Sequence, residues 1–318
     1  MGLNILSHRS LLRLFGPGVI RLILAALVMF SHMSRFQVGR IGVLLFFFLS
    51  GYWVSRLWAS DRHVGRFFAG RLLRIMPLYW LVLFIAAYIR HQQILPQNIM
   101  LIGGMSSGND PLNVSWSLEV ELEFYALLPL LALLTGGQYL VVSFLVAMAA
   151  IIWAPMTTAA NFLPAFALGA IVFKQDYKPS GMVAALSAFA FIVVTAVIMV
   201  SPLHEFITVK SMHGLMRVDI FSFFWMLPVL PFVAWSLRMK SDRLDRHIGN
   251  LSYPLYLVHF SVIAMVADRS LQGKALSIAL AVLISLTVYA LFDLPLERFR
   301  HSIVKRIGGG RGAKAALS

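Results

Sequence analysis

The sequence contains no cysteine and few charged residues. Without a thiol, the chain can form no disulfide and offers neither a cysteine nucleophile nor a thiolate metal ligand. Charged residues make up only 13% of the 318 residues, and 59% are hydrophobic, whereas a soluble domain carries about 25% charged residues. The mean hydropathy is +0.81. These values exclude a soluble protein of ordinary composition and indicate a polytopic membrane protein.

The chain also lacks internal repeats and any linker that would separate two domains. A membrane-spanning helix needs about 20 mostly apolar residues. We therefore predict an all-α, polytopic membrane helix bundle with about ten transmembrane helices in one domain, residues 1–306, followed by a flexible basic tail, residues 307–318. The first apolar segment has no cleavage pattern and is expected to stay as the first helix. The predicted spans are 13–33, 41–58, 72–90, 114–134, 139–154, 160–173, 182–201, 218–237, 251–267 and 275–294.

Acidic residues are scarce, at 13 against 27 basic ones, which gives a net charge of +14. Such a charge can indicate a nucleic-acid partner. It can also arise because cytoplasmic loops of membrane proteins collect Lys and Arg. If the N-terminus is cytoplasmic, 20 of the 27 basic residues fall on the inner side of the predicted helices. We therefore expect both termini in the cytoplasm, membrane lipids as neighbours and no nucleic-acid partner.

Ionisable residues inside membrane segments are functional candidates by default. His32 ends the first predicted helix on the outer side, and the segment WSLEVELEFY places Glu119, Glu121 and Glu123 at the outer start of the fourth. On a helix Glu121 lies about 200° from both neighbours, so it faces another way. We predict His32 as a general base and Glu121 as the carboxylate that orients it, both in the outer third of the membrane. The plainer interpretation is an interfacial histidine and acids that complement a helix dipole.

Two other groups stand at the cytoplasmic ends of predicted helices. Arg71 and Arg74 are three residues apart, so they share one helix face, and guanidinium groups match phosphate oxygens in two-bond geometry. They are candidates for an anionic ligand, or else they anchor the helix in lipid headgroups. A polar and aromatic stripe in LSYPLYLVH is formed by Tyr253, Tyr256 and His259. We favour a structural role for it, as a row of hydrogen bonds between helices, over a functional one.

Taken together, these residues resemble the acyltransferase 3 family of integral membrane acyltransferases. No single motif is specific, but the whole series in the family's order is. Two departures stand out: Gly18 occupies a position where the family often has an acid three residues before the first-helix arginine, and we expect no extracytoplasmic esterase-like domain of the kind that some members carry. The matching segments are Arg21 with His32, GVLLFFFLSGYW (Gly42–Trp53), RLLRIMPLYW, WSLEVELEFYALLP, LSYPLYLVH and DLP (Asp293–Pro295).

The resemblance implies a fold, a reaction and a set of site residues. It implies an enzyme of the bacterial inner membrane that moves an acyl group, usually acetyl, from cytoplasmic acetyl-CoA to a hydroxyl of an extracytoplasmic or lipid-linked glycan, without a metal. Polysaccharide-assembly proteins would be possible partners. On this resemblance His32 and Glu121 are catalytic. The donor-binding residues are Arg71, Arg74, Arg21, Ser50 and Tyr79, and residues in substrate or structural roles are Trp116, Ser117, Tyr125, Tyr253 and His259.

The sequence leaves several alternatives open. Direct transfer is the simplest mechanism, and a covalent acyl-serine on Ser31, Ser50 or Ser117 is the other. A membrane lipid, peptidoglycan or a small alcohol could replace the glycan. A transporter or flippase would also place polar residues inside a ten-helix bundle, and a non-enzymatic component of polysaccharide export would need none of these residues.

Overall fold

The computed structural model describes residues 15–103, 109–153, 158–208 and 215–307. Within these ranges every regular element is helical, which confirms the all-α class. Short 3₁₀ turns at Pro202–His204 and Leu227–Val229 and a π-helical turn at Tyr289–Asp293 join some of the helices. In chain order the helices are α1 (Pro17–Met33), α2 (Gly39–Ser60), α3 (Val64–Ile89), α4 (Pro96–Met100), α5 (Trp116–Leu131), α6 (Gly136–Trp153), α7 (Ala159–Lys174), α8 (Gly181–Val200), α9 (Glu205–Thr208), α10 (Leu215–Met226), α11 (Leu230–Ser236), α12 (Arg243–Val266), α13 (Leu271–Val288) and α14 (Leu294–Ile307).

Each of the ten predicted apolar segments contains a helix. Among the residues that the structure describes, six helical stretches are long and apolar enough to cross a membrane, and α1, α6 and α7 are shorter apolar helices. Large apolar side chains cover the exposed face of α8, where Phe189 and Ile192 are both 64% exposed. A helix facing lipid has this composition. The chain is therefore a multi-pass membrane protein. Of the predicted tail, 307–318, only its first residue lies within the described residues.

The chain divides into two compact units. The first comprises Met1–Phe46 and Tyr177–Tyr256, and the second comprises Phe47–Asp176 and Leu257–Ser318. The boundary falls inside α2 and inside α12. The first unit therefore holds α1 and α8 to α11, and the second holds α3 to α7, α13 and α14.

In the first unit, the side chain of Asp245 in α12 caps the N-terminus of α1. Its carboxylate accepts hydrogen bonds from the backbone N–H groups of Gly18 at 3.1 Å and Val19 at 3.0 Å. Such N–H groups have no partner within their own helix, and a negative charge there complements the helix dipole. A Cβ on Gly18 would lie 1.9 Å from the Asp245 carbonyl oxygen. The acid that the family pattern places at position 18 cannot fit here, and an acid from another helix stands beside that position instead.

In the second unit, α2 and α7 cross at a pair of glycines. A Cβ on Gly51 would lie 2.0 Å from the Phe166 carbonyl oxygen, and a Cβ on Gly169 would lie 1.9 Å from the Phe48 carbonyl oxygen. Small residues let membrane helices approach this closely. The Phe166 ring stacks on Phe124 of α5, with centroids 3.9 Å apart. The crossing fixes the rotation of α2, and with it the direction of the side chain that precedes Gly51.

Helices α13 and α14 form one continuous rod in which the π-helical turn Tyr289–Asp293 is inserted. A π turn contains one residue more than an α turn and often marks a functional site. Beyond it, α14 packs against α3: Val304 is fully buried, and its side chain lies 3.7 Å from where a Cβ on Gly70 would be. The rod therefore brings its C-terminal half to the start of α3.

Candidate functional site

The residues predicted from sequence are divided between the two units. Arg21, His32 and Tyr253 belong to the first. The second holds Ser50, Arg71, Arg74, Tyr79, Trp116, Ser117, Glu121, Tyr125 and His259. His32 lies in the last turn of α1 and is half-buried. Its pairing with Glu121 stays a prediction.

The side chains of the three glutamates of α5 contact three different parts of the molecule. The buried Glu119 carboxylate accepts a hydrogen bond from the Gly103 backbone N–H. The Glu123 carboxylate accepts one from the Ala159 backbone N–H at 2.7 Å and so caps the start of α7. Glu121 faces elsewhere, as the helix geometry predicts. Two of the three acids thus hold backbone in place, and Glu121 is the one that contacts side chains of the candidate site.

Glu121 is the centre of a small polar cluster with Ser50 of α2 and Tyr125 of α5. The Ser50 hydroxyl donates to Glu121 Oε1 at 2.8 Å, and the Tyr125 hydroxyl donates to the same oxygen. Ser50 Oγ and the Tyr125 hydroxyl are 3.5 Å apart. Ser50 and Tyr125 are 9% and 3% exposed. Because both donors serve one carboxylate oxygen inside an apolar bundle, the carboxylate is held ready to accept a proton from either.

Arg71 joins this cluster, which the sequence interpretation did not expect. Its guanidinium lies within electrostatic range of the Tyr125 hydroxyl and of Glu121. The sequence placed Arg71 at the cytoplasmic end of its helix and Glu121 across the membrane. However, α3 begins at Val64 rather than near residue 72, so Arg71 lies about 10 Å inside the helix. The separation of the two sites by depth was therefore wrong for Arg71.

Arg71, Arg74 and Arg300 form an arginine cluster where α14 meets α3. Arg300 lies within electrostatic range of both other arginines, and its Nη2 is 3.6 Å from Glu297 Oε1. Asp293 is a second carboxylate near Arg300. The Arg74 side chain makes no hydrogen bond or ion pair with any residue that the structure describes. The buried Arg71 Nε also lacks a hydrogen-bond partner there. Like charges that converge with donors unused form a site for an anion.

Arg300 is the residue that sequence reasoning missed. Its charge was assigned to the general excess of basic residues on the inner side. The available signal was its position seven residues after Asp293, within the segment DLPLERFR that follows a family motif. Nothing in that spacing says that a π-helical turn brings the arginine to α3.

The other predicted residues of the second unit lie in separate contacts. The buried Tyr79 hydroxyl donates to the Asn98 carbonyl oxygen at 2.6 Å and so ties α3 to α4. Trp116 packs edge-on against Phe47, with centroids 6.4 Å apart. The Ser117 hydroxyl donates to the Val114 carbonyl oxygen at 3.2 Å. His259 is fully buried. These contacts favour structural roles for Tyr79 and Trp116, and the structure does not bring either into the arginine cluster.

A family model described as an acyltransferase domain matches residues 11–294. The chain belongs to the acyltransferase 3 family. The match covers both units and contains His32, Ser50, Arg71, Arg74 and Glu121. No curated protein and no solved structure matches the chain.

Membership of the acyltransferase 3 family settles the class of the protein. It is a membrane acyltransferase, so the transporter and the non-enzymatic component considered above are not supported. An acyltransferase needs a place for the donor, a group that removes a proton from the attacking hydroxyl and donors for the developing oxyanion. The second unit offers an anion site, a carboxylate that accepts from a hydroxyl, and an unused guanidinium N–H.

Proposed function

We propose that this acyltransferase moves an acyl group, acetyl in the simplest case, from cytoplasmic acyl-CoA to a hydroxyl of an extracytoplasmic or lipid-linked glycan. The observation that supports it most is the arginine cluster, in which Arg74 has its hydrogen-bonding capacity unused among the described residues. Coenzyme A carries several phosphate groups, and arginine binds phosphate oxygens in a two-bond geometry. A compact, partly buried set of guanidinium groups suits such a donor.

The contact between the arginine cluster and Glu121 supports the same donor. Arg71 belongs to both groups, because its guanidinium lies within electrostatic range of Arg74 and also of Tyr125 and Glu121. A thioester of coenzyme A has its charge at one end and its reactive carbonyl at the other. In the proposed complex the phosphates lie against Arg74 and Arg300, and the acyl end reaches toward Ser50, Glu121 and Tyr125.

The acceptor side of the proposal depends on His32. We assign His32 the proton of the acceptor hydroxyl, since imidazole is the side chain that most often serves as a general base near neutral pH. The glycan, the bacterial inner membrane, cytoplasmic termini and polysaccharide-assembly proteins as partners follow from the family resemblance and the distribution of basic residues. They are part of the proposal.

The test is incubation of the purified protein with radiolabelled acetyl-CoA, with and without a lipid-linked oligosaccharide. We expect label in the oligosaccharide, and loss of this incorporation in Arg74→Ala. Arg62→Ala is a matched control, because Arg62 is an exposed arginine just before α3 and should leave incorporation unchanged. A folded protein that neither binds coenzyme A nor transfers label to any hydroxyl acceptor would refute the proposed donor.

A further inference from the structure

Three serines are candidates for carrying an acyl group, and their hydrogen bonds distinguish them. The Ser31 hydroxyl donates to the Phe36 carbonyl oxygen at 2.8 Å, and the Ser117 hydroxyl donates to the Val114 carbonyl oxygen at 3.2 Å. A backbone carbonyl cannot take a proton at neutral pH. Ser50 donates to a carboxylate, Glu121, at 2.8 Å. The Ser50 hydroxyl therefore donates directly to a base that can take its proton, which is what activates a serine nucleophile.

The surroundings of Ser50 hold it in place. Gly51, the next residue, is locked against the backbone of α7 at the glycine crossing, so the α2 backbone at Ser50 cannot shift easily. The Tyr125 hydroxyl lies 3.5 Å from Ser50 Oγ and within electrostatic range of Arg71. The Arg71 Nε–H is buried and has no partner among the described residues. A nucleophile, its base and an unused cationic donor are thus connected through Tyr125.

We propose that Ser50 is the nucleophile of a covalent acyl-enzyme, with Glu121 as its base and Arg71 as a donor to the oxyanion of the tetrahedral intermediate. This inference rests on the proposed function, because it takes the acyl group from acyl-CoA. It selects the two-step alternative over direct transfer. It also gives Glu121 a partner in its own unit.

In the first half-reaction, Ser50 Oγ attacks the thioester carbonyl carbon and Glu121 takes the hydroxyl proton. The carbon–sulfur bond breaks, and the coenzyme A thiolate leaves and takes a proton from water. In the second, the acceptor hydroxyl attacks the acyl carbon, and its proton passes to the base of the acceptor and on to water. Ser50 Oγ leaves with the proton held on Glu121. The sum is one thioester and one hydroxyl converted to one ester and one thiol.

The absence of cysteine makes the first half-reaction directly measurable. A thiol reagent added to protein and acetyl-CoA reports only released coenzyme A, because the chain contributes no thiol of its own. Without acceptor, we expect a burst of about one thiol per protein molecule, the kinetic sign of an accumulating acyl-enzyme. Peptide mapping of the same sample should find the acetyl group on Ser50. Glu121→Gln should slow the burst by roughly 10²–10⁴-fold, the usual contribution of a general base.

Ser50→Ala should abolish the burst, and coenzyme A binding by that variant shows that it is folded. Ser143→Ala is the matched control, since Ser143 is a buried serine of the same unit that donates to the Tyr139 carbonyl oxygen at 2.6 Å; it should keep the burst. Glycan acetylation by the wild type without a burst and without acetyl-Ser50 would overturn the inference and leave the proposed function standing. If coenzyme A neither binds nor loses its acyl group to any acceptor, the proposed function fails and this inference fails with it.

Discussion

Replacement of Arg74 by alanine is the sharpest perturbation of the arginine cluster. The Arg74 side chain makes no hydrogen bond or ion pair with another described residue, so a bound phosphate does not have to compete with a protein carboxylate for it. Loss of a hydrogen bond to a charged group costs about 1.5–3 kcal/mol. We expect the upper part of this range, which is a loss of about a hundredfold in the affinity for coenzyme A.

Arg300 provides an internal comparison, because its guanidinium is already partly engaged. Its Nη2 lies 3.6 Å from Glu297 Oε1. We therefore expect Arg300→Ala to cost nearer to about 1.5 kcal/mol, or roughly tenfold in affinity. Glu297→Gln should have the opposite sign and tighten binding modestly, by no more than about fivefold, because the half-exposed pair itself is worth about 1 kcal/mol or less.

The assay is titration calorimetry of coenzyme A into the purified, detergent-solubilised variants. Arg298→Ala is the control, since Arg298 is an exposed arginine on the same helix, two residues before Arg300. Affinity equal to wild type in a folded Arg74→Ala variant would contradict the reasoning. Equal weakening by Arg298→Ala and Arg74→Ala would also contradict it, because binding would then depend on overall positive charge.

Three further predictions concern other parts of the molecule. Glu123→Gln should lower the unfolding temperature, because it weakens the cap of α7 by about 0.5–2 kcal/mol, whereas Glu121→Gln should lower the acyl-transfer rate with little loss of stability. Unfolding curves and transfer rates measured on the same two preparations test this, and the reverse pattern would show that the wrong glutamate was chosen. His32→Ala should abolish transfer to the glycan while coenzyme A binding, measured by calorimetry, stays unchanged; transfer at the normal rate would exclude His32 as the base. In intact cells a cysteine at the exposed Gln93 should react with an impermeant thiol reagent and one at the exposed Arg62 should not; the opposite labelling would invert the topology.

The helices and the family were predictable from sequence because both depend on local pattern. Apolar runs about 20 residues long define membrane helices, and each predicted run contains one. The different orientation of Glu121 also followed from helix geometry alone. Helix ends were less predictable: α3 starts at Val64 because an apolar, basic segment continues as helix beyond the span that hydropathy marks.

The sequence could not predict which helices contact each other. The capping of α7 by Glu123 requires the start of α7 to lie beside α5, and the role of Asp245 requires α12 to reach α1. Both are contacts between residues far apart in the chain. The proximity of Arg71 to Glu121 was unpredictable for the same reason. It depends on which helices are neighbours and on how far along its own helix each residue lies.

The π-helical turn at Tyr289–Asp293 sets the direction in which the side chains of α14 point. An α-helix advances about 100° per residue, so the one additional residue in this turn rotates α14 by roughly that angle relative to an uninterrupted rod. Deleting one lipid-facing residue of the turn, such as Leu291, which is 76% exposed, would let the rod continue as regular α-helix. Arg300 would then turn away from Arg74 while every hydrophobic residue of α13 kept its place. The irregular turn therefore sets the direction of the Arg300 side chain, and a more regular helix at this point would disperse the arginine cluster.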